Sequence, residues 1–321
     1  MRAVLHSAYG PADRVLTVAD VPAPQPAPGE VLVRVRAAGI ARGNWLVTHG
    51  LPLIARPSYG LRRPAESIAG FQFAGTVEAL PTDASGLQIG DAVFGQHVAT
   101  FAELLAVPLD AVARVPGSVS FGQAATVPIP GVTALQALRA AHVESGVRLL
   151  VIGASGAVGS MVVRIAKDRG AEVTGIAGPR SRERLQRLGV DHVLDYSRDR
   201  IDAAGTRYDA IIDLAGNTPL TDLRRVLASD GHLAIVGGTG GRWTMGFGRT
   251  VRAVLLDRFV KQRLVAVLAS PNRNDLATLA ELLARGVITP APGLALPFER
   301  AGEAVERAGR GEGAGAMVLV P

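Results

Sequence analysis

Residues 148–176 read RLLVIGASGAVGSMVVRIAKDRGAEVTGI. A short apolar run, Arg148–Ile152, leads into glycines at 153, 156 and 159, then an apolar stretch of helical spacing, Ala157–Arg169, and a second apolar run, Glu172–Ile176. Strand, glycine turn, helix and strand make a complete βαβ unit, which implies a parallel sheet with the crossover helix on one face. The glycines divide the work: Gly153 permits the tight turn, Gly156 lets a pyrophosphate approach closely, and Gly159 lets the helix pack on the sheet. Across the turn (Gly153, Ala154, Ser155, Gly156, Ala157, Val158 and Gly159), backbone N–H groups and the positive end of the helix dipole converge on an anion. The spacing is GxxGxxG rather than GxGxxG, and the glycines alone fit a structural turn equally well. Their place inside a βαβ unit favours a dinucleotide site.

The second strand ends in GIAGPRSR (175–182), with no carboxylate before Glu183. NAD sites usually place Asp or Glu there to receive the ribose hydroxyls. Arg180, Ser181 and Arg182 instead suit the extra phosphate of NADP, because the guanidinium fork matches phosphate oxygens. NADPH is therefore the expected cofactor. Loops after later strands should line the same crevice: Gly216 after the strand Ala210–Asp213, and Gly237 and Gly238 after His232–Val236. Tyr196 follows another short strand and is a candidate to pack on the adenosine, against the alternative of a core or edge tyrosine. Thr133, at a helix start, is a candidate for the nicotinamide or its ribose.

Working outward, Phe121–Ala125, Gly131–Ala141, Arg182–Leu188, Pro219–Leu227 and Asn272–Ala284 read as helices, with Leu264–Leu268 as a sixth strand. This gives a Rossmann-type, doubly wound α/β domain over residues 121–286. Residues 1–120 read differently. Arg2–His6 and Val15–Val18 form a hairpin, and Pro22–Pro28 prevents regular structure. Glu30–Ala37, Gly75–Leu80, Ala92–Phe94 and Glu103–Val107 complete a small β domain. The segment from Leu46 to Ile68 is long for a simple connection, which favours a functional loop. Residues 287–321 end in a strand, Ala316–Val320, expected to rejoin the first domain.

Composition narrows the functions. With 48% apolar and 19% charged residues, 321 residues suffice for two cored domains. The chain has no cysteine, which removes disulfides, thiol catalysis, iron–sulfur clusters and thiolate zinc sites. The net charge of +6 is scattered, with no aromatic platform beside Arg180–Arg187, so nucleic acid is not an expected partner. No apolar run reaches the roughly 20 residues of a membrane span, and MRAVLHSAYG lacks a signal-peptide pattern. The expectation is a soluble, cytoplasmic protein.

Several segments together resemble the medium-chain dehydrogenase/reductase superfamily in its zinc-free, quinone-oxidoreductase-like branch. They are MRAVLHSAYGP, EVLVRVRAAGI (30–40), IGDAVFG (89–95), AATVPIPGVTALQAL (124–138), GASGAVG (153–159), LGVDHVLDY (188–196) and GHLAIVGG (231–238). The resemblance implies a GroES-like β domain, a Rossmann-type cofactor domain, an active cleft between them and a homodimer. The cysteine of zinc-dependent relatives is Ala41 here, and their Gly-His-Glu is Gly70, Phe71 and Gln72, so no metal is expected. Without a Lewis acid, reduction of an activated double bond is the better-supported chemistry. Hydride from NADPH would pass to a quinone, enone or enoyl compound while the protein aligns and polarises it.

The expected cleft departs from the better-known quinone reductases: Ala41 stands for asparagine, Asn44 for aspartate, and Leu46, Pro52 and Leu104 for tyrosines. Asn44, His49 and Tyr59 remain as polar candidates, against the alternatives of a turn cap, an exposed loop histidine and a packing ring. GGTGGRWTMG (237–246) and the run 257–290 are similar to zinc-lacking reductases often labelled NAD(P)-dependent alcohol dehydrogenases. Arg242 and Trp243 sit there, near the nicotinamide end or as an anchor for a dimer or loop. Rival functions are a dedicated enoyl or ketone reductase, a zinc-independent alcohol dehydrogenase, and a non-catalytic NADPH-binding redox sensor.

Overall fold

The computed structural model describes residues 1–81, 86–199, 201, 205–291, 293–312 and 317–321. In chain order the strands are β1 (Arg2–His6), β2 (Leu16–Asp20), β3 (Glu30–Gly39), β4 (Gln72–Ala79), β5 (Ala92–Gln96), β6 (Leu104–Pro108), β7 (Val112–Arg114), β8 (Arg148–Ile152), β9 (Glu172–Ala177), β10 (His192–Asp195), β11 (Tyr208–Asp213), β12 (Leu227–Ile235), β13 (Arg263–Ala266), β14 (Leu294–Pro297) and β15 (Met317–Val320). The helices are α1 (Ala12–Val15), α2 (Arg42–Thr48), α3 (Arg56–Tyr59), α4 (Phe121–Ala124), α5 (Pro128–Ala140), α6 (Ala157–Asp168), α7 (Arg182–Leu188), α8 (Leu220–Val226), α9 (Phe247–Asp257), α10 (Arg273–Ala284) and α11 (Ala301–Gly309).

The chain divides into two compact units, residues 1–129 with 271–321, and residues 130–270. In the first, β1 and β2 form an antiparallel hairpin with Arg2 opposite Asp20 and His6 opposite Leu16. The larger sheet runs β14-β15-β3-β4-β5-β7, with β6 also on β3. Alternation in β3 buries Val31, Val33 and Val35, which pack with Phe73, Val77, Val93, Phe101 and Val107. The expected return of the tail is present: Val318 and Leu319 pair antiparallel with Gly39 and Ala38 of β3. Ala316, the expected first residue of that strand, lies outside the described residues.

The second unit is a six-stranded parallel sheet of order β10-β9-β8-β11-β12-β13. In sequence rank this is the doubly wound order 3-2-1-4-5-6, whose direction of winding reverses between β8 and β11. Leu150, Ile152, Ile176, Ile211, Leu223, Leu233 and Leu264 form its buried cluster.

The structure differs from the sequence-based division at residues 121–129 and 271–286, which belong to the first unit. α4 packs on β3 and β4, and α10 packs on β7. α10 is capped by Asn272, whose side chain accepts from Asp275 N at 2.9 Å. It buries Leu276, Leu279, Leu282 and Leu283. A helix following a strand reads as one more βα step; here the helix packs on β7 within the first unit. Five helices escaped the sequence reading, among them α1 and α3 of four residues each. α2 is short, α9 has only Ala253 fully buried, and the buried face of α11 is mostly alanine (Ala301, Ala304, Val305 and Ala308).

Candidate functional site

The turn after β8 lies at the sheet's switch point. Gly153 has φ +84°, a left-handed backbone, and its N–H donates to Ile176 O at 3.1 Å. A Cβ at Gly159 would lie 2.3 Å from Gly153 O and 2.7 Å from Ala154 Cα, so the helix reaches the turn only because that position has no side chain. At Gly156 a Cβ would come only within 3.4 Å of Gly153 O, so packing within the chain sets no comparable bar there.

Gly156 is the N-cap of α6, with no side-chain cap and no acidic residue in the first turn. The first intrahelical bond runs from Ser160 N to Gly156 O at 2.9 Å. The N–H groups of Ala157, Val158 and Gly159 precede it and have no acceptor within the helix. Uncapped donors and the helix dipole make a cradle for an anion.

Other glycines hold the neighbouring loops together. A Cβ at Gly237 would lie 1.9 Å from Leu214 O, and one at Gly216 would lie 2.5 Å from Gly238 Cα. Asp213, the last residue of β11, is fully buried. Its Oδ1 accepts from Gly216 N at 2.9 Å and its Oδ2 from Arg249 Nη2 at 2.5 Å, while Arg249 Nη1 donates to Thr218 O at 2.8 Å. This pair fixes the loop after β11 to α9. The sequence analysis missed it, although a carboxylate ending the apolar run YDAIID was a readable signal; Arg249 carried none.

Beyond β9, Pro179–Ser181 forms a single 3-10 turn before α7. Arg180 and Arg182 are exposed and Ser181 is half-buried. Neither arginine forms an ion pair among the described residues. Tyr196 is 68% exposed, and its ring lies over Gly178, where a Cβ would meet Tyr196 Oη at 3.0 Å. The nearest carboxylate at a strand end, Asp195, is engaged locally: the Ser197 hydroxyl and N–H hold its carboxyl below the usual range, helped by Arg198 and Arg182. Thr133 sits half-buried on α5.

The first unit contains a cavity of about 290 Å³. Asn44 and Tyr59 line it, with Val47, Phe71, Val98 and Phe101 among its apolar walls. Asn44 is buried, and its Oδ1 caps α2 by accepting from Ala41 N at 2.8 Å. Tyr59 Oη donates to Pro52 O at 3.1 Å, and its ring meets Tyr9 edge-on at 6.1 Å. Burial chiefly raises the Tyr59 hydroxyl's pKa, which keeps it protonated.

His49 does not join Asn44 and Tyr59 in the cavity wall. Its Nε2 lies 2.8 Å from Glu306 Oε1, and its ring stacks on Trp45 at 4.5 Å. Glu306 also accepts from Ala12 N at 2.7 Å and Trp45 Nε1 at 3.1 Å. One carboxylate thus joins α1, α2 and α11, and His49 is part of that joint. Of the positions zinc-dependent relatives use, Phe71 lines the cavity, and Gln72 is buried with its Oε1 accepting from Ile129 N at 3.0 Å.

Comparison with known proteins decides the family. Residues 27–132 match the model of the alcohol dehydrogenase GroES-like domain, and residues 188–319 that of the zinc-binding dehydrogenase. The quinone oxidoreductase from Coxiella burnetii superposes with a TM-score of 0.85 at 26% identity, over 100% of this chain and 99% of that one. The chain belongs to the medium-chain dehydrogenase/reductase superfamily, in its quinone-oxidoreductase-like branch. The chloroplast envelope quinone oxidoreductase homolog of Arabidopsis thaliana is 27% identical over 100% of this chain and 98% of that protein. The 2-methylene-furan-3-one reductase of Solanum lycopersicum is 28% identical over 67% and 57%. The superfamily fold implies a nicotinamide cofactor and a small-molecule substrate, and the protein is an oxidoreductase. Among the described residues no helix is long and apolar enough to cross a membrane.

Proposed function

We propose that this oxidoreductase is a zinc-independent reductase that uses NADPH to reduce a quinone or an α,β-unsaturated carbonyl compound. The observation carrying the cofactor half is the uncapped turn before α6, followed at the end of β9 by Arg180, Ser181 and Arg182 with no carboxylate among them. The N–H groups of Ala157, Val158 and Gly159 would hold the pyrophosphate, and Arg180 the additional phosphate. Tyr196 would cover the adenosine, Thr133 would meet the nicotinamide end, and Gly216, Gly237 and Gly238 would let backbone come close to it. When bound, the cofactor supplies the hydride.

For the acceptor, the mostly apolar cavity suits a ring, and Asn44 on its wall would orient the carbonyl. Relatives named for quinone and furanone reduction support that substrate class. The side chains at the zinc positions are Ala41, Phe71 and Gln72, none of them a thiolate, imidazole or carboxylate, which supports metal-free chemistry. A homodimer in the cytoplasm completes the reading. The exposed apolar face of α9 (Phe247, Val251, Val254 and Leu255) supports self-association.

The test follows loss of NADPH absorbance with separate panels of quinones, enones, enoyl thioesters and aldehydes, with NADH in parallel. Turnover of quinones or enones with NADPH preferred is the expected result. Saturable NADPH binding with no turnover of any class would favour a redox sensor instead.

A further inference from the structure

The wall of the cavity in the first unit is not equally firm all round. Part of it is core: Asn44, Thr48, Ala69 and Phe101 are buried. Another part is Ser58, Tyr59, Pro64, Ala65 and Glu66. These belong to residues 52–68, none of which is buried, between the buried Leu51 and Ala69. A stretch with so little buried surface has low local stability and opens more readily than the core behind it.

Among the described residues, hydrogen bonds tie this stretch to the rest of the unit at three places. Arg56 Nε donates to Gly50 O at 3.1 Å at one end, and His6 N donates to Ser67 O at 2.7 Å at the other. Only Tyr9 reaches the middle: its Oη donates to Gly60 O at 2.5 Å, with Tyr59 O 3.2 Å away. Its ring meets Tyr59 edge-on at 6.1 Å and has the Arg56 guanidinium 4.5 Å over its centre. Gly50 makes room for both groups, since a Cβ there would lie 2.8 Å from Tyr9 Cγ and 2.7 Å from Arg56 Nη2. The next residue, Gly10, is fixed to α2 by its N–H, which donates to Thr48 O at 3.0 Å.

Tyr9 itself does not line the cavity. We propose that it is a positioning residue that sets the reach of the cavity: its hydroxyl holds the wall of residues 58–66 in place, and a ligand too long for the latched space must break that bond to bind. An apolar cavity of roughly 150 Å³ holds benzene, so in proportion to ring carbons two fused rings need roughly 250 Å³ and three roughly 350 Å³. The latched cavity, about 290 Å³, lies between the two. This deepens the reductase reading, on which the ligand's role as acceptor rests, and names its class as a carbonyl compound of one or two fused rings.

The experiment is calorimetric titration of the full chain with cyclohexenone, tetralone and a tetrahydrophenanthrenone, ketones of one, two and three rings. In the wild type, affinity is expected to rise from the first to the second and to fall at the third. Tyr9→Phe keeps the ring and removes the hydroxyl, so the three-ring ketone has no latch to break. Its affinity relative to tetralone should rise about three- to tenfold, the worth of one hydrogen bond. Trypsin reads the wall directly, because Arg62 is exposed and precedes Arg63, whereas Arg56 and Arg63 precede prolines and resist cleavage. Cutting after Arg62 follows the open population and should be about three- to tenfold faster in Tyr9→Phe. Arg56→Gln, which takes the cation off the Tyr9 ring, should move both readouts the same way by a smaller factor. Thermal unfolding shows whether each variant is folded, and Arg56→Gln with the wild-type series decides if Tyr9→Phe is not. Binding of none of the ketones, affinity that climbs through all three rings in the wild type, or a ring preference or cleavage rate unchanged in folded Tyr9→Phe overturns the proposal. The NADPH assay is read separately. Turnover with the ring preference unmoved removes the role of Tyr9 and leaves the reductase; a moved preference without turnover does the reverse.

Discussion

The glycine turn of the second unit and the cavity of the first are made from different materials. The turn is backbone: N–H groups, a left-handed glycine, and loops so close that a single Cβ would collide with a carbonyl. Its chemistry depends on few side chains, and it suits a ligand part common to many enzymes. The cavity is side chain throughout, with apolar walls and a few polar groups, several of them committed to holding the unit together. In the proposed reading, one surface would fix a cofactor by main-chain geometry, and the other would select an acceptor by its lining.

This contrast is sharpest at Asp213, the main side-chain support of the backbone site. Removing one partner of a buried, hydrogen-bonded ion pair costs about 3–5 kcal/mol. Asp213→Ala is expected to lose that much in denaturant unfolding of the second unit and to abolish nucleotide binding. Unchanged stability would mean that the glycine loops hold themselves.

A smaller effect is expected at Arg180. A charge-assisted hydrogen bond contributes about 1.5–3 kcal/mol, so Arg180→Ala should cut NADPH affinity roughly 10- to 100-fold and leave NADH affinity unchanged. Equal losses for both cofactors would place Arg180 outside the phosphate site.

The smallest effect concerns the joint behind the cavity. Burial pushes the Glu306 carboxyl up, but hydrogen bonds from Ala12 N, His49 and Trp45 outweigh it and hold the pKa below the usual 4.5. A depressed carboxylate contributes stability that is full above its unfolded pKa and lost as pH falls through the folded one. Glu306→Gln should therefore cost about 1 kcal/mol at pH 7. The gap between the two proteins should close as the pH drops below 4.5, as read by unfolding at several pH values.

Sequence reading succeeded where the determinants are local. β8, the turn and α6 follow from period and glycine placement within thirty residues, and Asn272 marks the start of α10 by its capping chemistry. It did less well where a partner is distant. His49 reads as a loop histidine until Glu306, 257 residues away, is brought against it. α11 buries mostly alanine, so its face gives a weak apolar signal. Residues 271–286 continue a βα rhythm and yet pack on β7.

The return of residues 271–321 to the first unit also sets an order of events during synthesis. The second unit is continuous and has all its strands by residue 270. The first 129 residues emerge earlier but finish later, because Val318 and Leu319 must arrive to pair with β3. Until then Ala38 and Gly39 present an open strand edge, and α2 lacks the carboxylate of Glu306 that fastens it. An unpaired edge is a template for pairing with other chains. For the length of translation, the domain begun first is the one exposed to misassembly, and the second unit is complete before it.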